Sequence, residues 1–228
     1  MLFRSPRLLA GAVTRASRVN RFFLAALPYA QQEIENLLTL FPNRSTPLWD
    51  SELQPERLLA QAANYTTVHL ATHALFQPGR PEDSFILFGN DRRQTLADVG
   101  TWQLPIDLLV LSACETASGG LTGQGEEILG FGYLMAQAGV RTTVASLWAV
   151  DDGGTQVFMD IFYSFLEQGR SPQRALQQTQ QVLATGNFGL LGRGRERVER
   201  NLRNRIPLAI AEHLSHPYYW APFLTIGD

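Results

Sequence analysis

The sequence predicts an α/β fold, a mainly parallel sheet with helices on both faces. Three observations carry that prediction. Short apolar runs of strand length alternate with stretches of helical periodicity, which is the pattern of successive βαβ units. The run Ile106 to Ser112 (IDLLVLS) is continuously apolar after Asp107, as expected of a strand buried on both faces of a parallel sheet. The chain has 228 residues, 45% hydrophobic and 18% charged, which suffices for one domain with a sizeable core and excludes a disordered, collagen-like or coiled-coil chain.

Each element follows from its local pattern. Arg7 to Val13 reads as a first strand, and Phe22 to Leu27 leads into a helix. From Ala30 to Leu40 the apolar residues Ile34, Leu37, Leu38 and Phe41 are spaced 3, 1 and 3, a helical rhythm. Pro42-Asn43 stops it. Leu53 to Ala63 is a second helix. Val68 to His73 and Phe85 to Phe88 are short strands, the latter closed by Gly89-Asn90-Asp91. Glu126 to Ala138 is a helix that Gly139 ends. Thr142 to Trp148 is a further strand, and Asp151-Asp152 stand where an N-cap belongs, ahead of a helix to Leu166. Ser171-Pro172 opens a helix to about Ala184, and Pro222 to Ile226 is the last strand. Gly186 to Ser215 reads as irregular: its glycines run into Arg193, Arg195, Arg197, Arg200, Arg203 and Arg205. A solvated, partly flexible Arg-rich insertion over residues 186–215 is expected there, in preference to a basic patch for a partner.

Composition removes several chemistries. All 19 basic residues are Arg, so there is no Walker A lysine and no Schiff-base lysine. The single Cys excludes a disulfide framework and any Cys-only zinc site, and fits a reducing, cytoplasmic setting. A net charge of −2 and a pI near 6.1 argue against nucleic acid as the main partner. The Arg-containing, acid-poor start imitates a transit peptide, but its apolar run reads better as a strand. No apolar run approaches the roughly 18–20 residues that span a bilayer, so no membrane is expected.

In doubly wound sheets, sites form at the carboxyl ends of strands. That rule selects His73, Cys114 and the stretch Trp148 to Asp152. Cys114 directly follows the most apolar strand and precedes a Gly-rich stretch, Ser118 to Gly125, that lets a substrate backbone approach closely. On position alone a reactive and an inert thiol are equally acceptable. His73, 41 residues earlier, changes the balance. If the two strands are neighbours, imidazole and thiol meet at one edge, and a Cys–His pair is the minimum for thiol catalysis. His69 reads as a core histidine, since a metalloprotease pair needs an intervening Glu and a helix. His213 and His216 read as structural.

The residues then show a family resemblance. His-Leu-Ala-Thr-His, Leu-Ser-Ala-Cys-Glu-Thr, the Gly-Glu-Glu helix, Ala-Ser-Leu-Trp-Ala-Val-Asp-Asp and His-Pro-Tyr-Tyr-Trp-Ala-Pro-Phe resemble, in order from about Leu8 to Asp228, the CHAT domain. This is a caspase/separase-like cysteine peptidase family, often attached to tetratricopeptide repeats. The resemblance implies a caspase-like three-layer sandwich and cysteine endopeptidase activity. It implies His73 and Cys114 as the dyad, and the N–H groups of Ala74 and Cys114 as oxyanion donors. It implies neither metal nor organic cofactor, a protein or peptide substrate, and a bacterial, cytoplasmic setting.

Three departures accompany it. Ala74 stands where the family more often has Gly; it keeps the N–H, while its methyl narrows φ and crowds the substrate. The family domain usually has more sequence before the Leu8 strand, so residues 1–228 are expected to be a single domain lacking that N-terminal part. No repeats are present, so a repeat-bearing regulatory partner or upstream arm is expected. Trp148, Asp151 and Asp152 are candidate substrate-binding residues: a flat apolar wall and two carboxylates that would favour Arg or Lys at the cleaved position. One of the two carboxylates is expected to cap the following helix, with Asp151 favoured for the pocket. The alternative function is a non-catalytic interaction module on the same fold. A flavodoxin-like nucleotide binder is a weaker third reading, disfavoured by the missing phosphate loop.

Overall fold

The computed structural model describes residues 6–19, 22–77, 82–112 and 126–227. The chain opens with β1 (Leu8–Ala12), a short hairpin of β2 (Ser17–Val19) and β3 (Phe22–Leu24), then α1 (Pro28–Leu40). An edge strand β4 (Ser45–Trp49), α2 (Pro55–Ala62) and β5 (Thr67–Ala71) follow. Three short strands, β6 (Ala74–Leu75), β7 (Phe85–Leu87) and β8 (Arg93–Thr95), make a small antiparallel sheet, followed by α3 (Leu96–Val99). Then come β9 (Leu108–Leu111), α4 (Glu126–Ala138), β10 (Thr142–Ser146), α5 (Asp152–Glu167) and α6 (Pro172–Thr185). The last part holds a 3₁₀ segment, Phe188–Gly194, then α7 (Arg195–Arg205), α8 (Leu208–Ala211) and β11 (Phe223–Gly227).

The main sheet has six strands in the order β11-β10-β9-β5-β1-β4. All pairs are parallel except β10 with β11. Its inner strands β1, β5, β9 and β10 are buried at every position because both faces are covered. In β9, Leu109 and Leu111 pack with α2 and α4 residues such as Leu58, Phe131 and Met135. Leu108 and Val110 point the other way, among Ile34 and Leu37 of α1 and Phe158 and Phe162 of α5. This period-2 split of one continuously apolar run produces three layers, helices on a sheet on helices.

The long helices begin and end where the sequence said they would. Ser171 Oγ accepts from Arg174 N–H at the start of α6, at 3.3 Å. Gly139, with φ +102°, ends α4 in a conformation that a side chain would strain. The final strand also forms, but antiparallel.

Two expectations are corrected. Ser45–Trp49, passed over in the sequence, is a strand; Pro47 inside it is tolerated because β4 is an edge. The 186–215 segment is not irregular: it holds the 3₁₀ segment, α7 and α8. Leu191 and Val198 are buried, and Arg197 turns inward, donating to Ser164 Oγ and, at 3.4 Å, to the Asp160 carbonyl. A helix with mostly charged residues escaped notice because one inward arginine and a few apolar anchors dock it.

Candidate active site

The order of strand addition reverses at β1: β4 lies on one side of it, while β5, β9 and β10 extend on the other. At such a switch point the strand ends splay and leave a crevice. A cavity of about 130 Å³ lies there, lined by Ala25 and Leu27 ahead of α1, His73 after β5, Ser112 after β9, and Ser146, Val150 and Asp152 beyond β10. Ala149, Thr155 and Phe223 complete the described lining.

His73 is only 4% exposed, and its Nε2 lies 2.8 Å from the carbonyl oxygen of Ala25. A carbonyl can only accept, so Nε2 carries a proton and, in the neutral ring, the lone pair sits on Nδ1. Leu87 N–H donates to the His73 carbonyl at 2.8 Å, which makes the facing pair Ala74 and Ile86 a non-hydrogen-bonded one. The Ala74 N–H therefore points away from β7. Ala74 has ordinary strand backbone, so its methyl imposes no φ penalty here.

Cys114 and the stretch Ser118 to Gly125 lie outside the described residues. The described chain reaches Ser112, two residues short of Cys114, on the pocket wall. The parallel pairing of β5 with β9, Leu70 opposite Leu111, makes their carboxyl ends neighbours, as the sequence argument required.

The two aspartates divide their work, in the opposite sense to the one expected. Asp151 Oδ1 accepts from Gly153 N–H and Gly154 N–H at 3.0 and 3.3 Å, so it is the N-cap of α5. Asp152 instead lines the pocket, with Oδ2 accepting from Tyr29 N–H at 2.8 Å. Burial pushes the Asp152 carboxyl up to about 7; the Tyr29 N–H opposes this, Glu33 and Asp151 add to it, and His73 opposes it. The earlier preference rested on distance from the strand, whereas helix phase decides which carboxylate turns inward. Trp148 is 36% exposed and not among the described pocket residues; its Nε1 donates to the Tyr218 carbonyl at 3.2 Å. Ala149 and Val150 form the apolar wall instead.

Beneath the pocket lies a buried polar chain that sequence reasoning did not assemble. Ser112 Oγ donates to Glu33 Oε1 at 2.6 Å. His69 Nε2 is also 2.6 Å from that oxygen, a contact whose N–H is not well aligned on it. His69 Nδ1 is 3.0 Å from the Tyr163 hydroxyl. His69 is fully buried, as expected of a core histidine, and Glu33 is 1% exposed. A Glu inside the Ile34/Leu37 helix was the available signal. His213 and His216 are structural: His213 Nδ1 lies 2.8 Å from the Ala209 carbonyl, and His216 Nδ1 accepts from Tyr218 N–H. Among the described residues no cluster of His, Cys, Asp and Glu could hold a metal ion, and no helix is long and apolar enough to cross a membrane.

Comparisons with known proteins bear on the family and the fold. The human tetratricopeptide repeat protein 28 is 23% identical over 247 residues, covering 92% of this chain and 9% of the human protein. The mouse protein of the same name is 22% identical over the same length. The chain thus spans about a tenth of the length of these relatives. Among solved structures, the complex of Porphyromonas gingivalis RgpB pro- and mature domains superposes with a TM-score of 0.52 at 11% identity, covering 97% of this chain and 47% of that one. That likeness shows the fold: a caspase-like sandwich with a mainly parallel central sheet. The model of the CHAT domain family matches residues 3–228, nearly the whole chain, and the protein belongs to that family.

Proposed function

We propose that this chain is a cysteine endopeptidase working with a His73–Cys114 dyad. The observation that carries the reading is the tautomer of His73. With its Nε2 proton committed to the Ala25 carbonyl, the ring presents Nδ1 as the base, and the chain leading to Cys114 leaves from the wall of the same pocket. Cys114 would pass its proton to Nδ1 and attack the scissile carbonyl as thiolate. The imidazolium would return that proton to the leaving amine, and water would then hydrolyse the thioester. The Ala74 N–H, turned away from β7, and the Cys114 N–H would hold the oxyanion, each typically worth ~2.7–4 kcal/mol.

Asp152 supports a preference for Arg or Lys at the cleaved position, because a guanidinium or ammonium entering the pocket would meet a carboxylate held by the Tyr29 N–H. A repeat-bearing segment or partner, like that named in the tetratricopeptide relatives, fits as the regulatory element. The test is a peptide-library profile of the protein beside Cys114→Ala. Cleavage after Arg or Lys, lost in the variant, is expected. Turnover no greater than that of Cys114→Ala would overturn the peptidase reading and leave a binding module.

A further inference from the structure

One short stretch, Ala25 to Glu33, touches the ends of three strands. The Ala25 carbonyl meets His73 beyond β5, the Tyr29 N–H meets Asp152 beyond β10, and the Glu33 carboxylate meets Ser112 beyond β9. The first two contacts come from backbone, which most substitutions would preserve. The third comes from a side chain that is costly to bury: a carboxylate in the core is destabilising unless it is paired and hydrogen-bonded. Glu33 is both. His69 Nε2 lies at 2.6 Å on one side and the Ser112 hydroxyl donates at 2.6 Å on the other. An apolar residue would fill the same space between α1 and the sheet at lower cost, so packing does not explain the carboxylate.

We propose that Glu33 is a positioning residue for the nucleophile: anchored by His69 of β5, it holds the Ser112 hydroxyl and so fixes where the chain leaves β9 toward Cys114. The proposal rests on the dyad reading. Strand β5 also leads into His73, so one carboxylate ties the base-bearing and nucleophile-bearing strand ends to the same point on α1. A neutral acceptor would hold the Ser112 hydroxyl weakly; a carboxylate oxygen supplies a stronger hydrogen bond that holds it in a single direction. The titratable groups facing Glu33 are His69 on β5 and Asp152, Asp160 and Tyr163 on α5.

Labelling of Cys114 by iodoacetamide against pH reads the placement of the thiol without requiring turnover. In the unsubstituted protein the midpoint is expected below the free-thiol value of about 8.5. Glu33→Gln and Ser112→Ala are each expected to raise it by about one unit, slowing labelling below the midpoint about tenfold. The double variant should do no worse than the more affected single one, because both break one tether. Ser112→Thr, which keeps the hydroxyl, should restore most of the rate. Tyr163→Phe loosens the far end of the same buried chain without touching Ser112, and should leave the midpoint in place. An unperturbed midpoint near 8.5 in the parent protein would overturn the dyad and this proposal with it. A depressed parent midpoint that Ser112→Ala leaves unchanged, or that Tyr163→Phe raises equally, would overturn the positioning role alone.

Discussion

Asp152 is the residue whose chemistry is most exposed to pH. Its carboxyl is pushed up to about 7 by burial, so near neutrality it is only partly ionised. The sign follows directly. The protonated acid is favoured in the folded protein, and the anion that would bind Arg appears only as pH rises through 7. KM for a peptide with Arg at the cleaved position should therefore fall about tenfold between pH 6 and pH 8, the change in ionised fraction of a group titrating at 7. Asp152→Asn should flatten that profile, while Asp151→Ala should weaken the α5 cap by about 1 kcal/mol and leave the profile intact. Steady-state kinetics on the three proteins decides this; a pH-dependent KM that survives Asp152→Asn would assign the titration elsewhere. His73 and Asp152 were both legible in the sequence, as residues just past strands. Which aspartate turns inward was not, because that depends on the phase at which α5 meets the sheet.

At the scale of elements, α7 shows how a charged helix can belong to a core. Arg195 and Arg203 are exposed and pair with Glu199 at the surface, at 2.8 and 3.7 Å. Arg197 instead donates to the backbone carbonyl of Asp160, a residue 3% exposed whose carboxylate accepts from Asn36, Gln156 and Asn201. Burial pushes the Asp160 carboxyl up to about 6, opposed by Arg197 and by the two asparagines. Removing Arg197 takes a nearby positive charge from this buried carboxylate and strips the hydrogen bonds to Ser164 Oγ and the Asp160 carbonyl, a change typically costing about 1–3 kcal/mol. Urea unfolding at pH 7.5 should show that loss for Arg197→Ala. At pH 5, where Asp160 is protonated and needs no cation, the loss should shrink. Arg195→Ala and Arg203→Ala should each stay within about 0.5 kcal/mol. Equal effects of all three substitutions would mean that α7 is held by its surface rather than by Arg197.

Across the whole molecule, the antiparallel return of β11 closes the sheet beside β10 and brings Phe223 onto α5. Phe223 stacks on Phe158 with centroids 3.8 Å apart and planes 18° from parallel, and it also lines the pocket. The last strand, the central sheet and the α5 layer thus share one contact. Phe158→Ala should cost about 3–5 kcal/mol, as large-to-small changes at buried aromatics do. Far-ultraviolet circular dichroism in urea measures it; a loss below about 1 kcal/mol would show that β11 is not anchored through this stack.

Local pattern by itself determined the alternation of strands and helices, the strand buried on both faces, the cap and stop residues of the long helices, and the candidate edge carrying His73. These are readable because period-2 and period-3.6 burial and the turn chemistry of Gly, Pro, Ser and Asp are properties of neighbouring residues. Tertiary structure decided what depends on contacts distant in sequence. The Ala25 carbonyl that orients His73 stands 48 residues away from it, and Glu33 meets Ser112 across 79. Pro47 could join a strand only because β4 lies at an edge, and Arg197 could turn inward only because Asp160 was waiting across 37 residues of chain. No local period encodes such meetings; the order of strands in the sheet and the angle at which each helix crosses it bring those groups together.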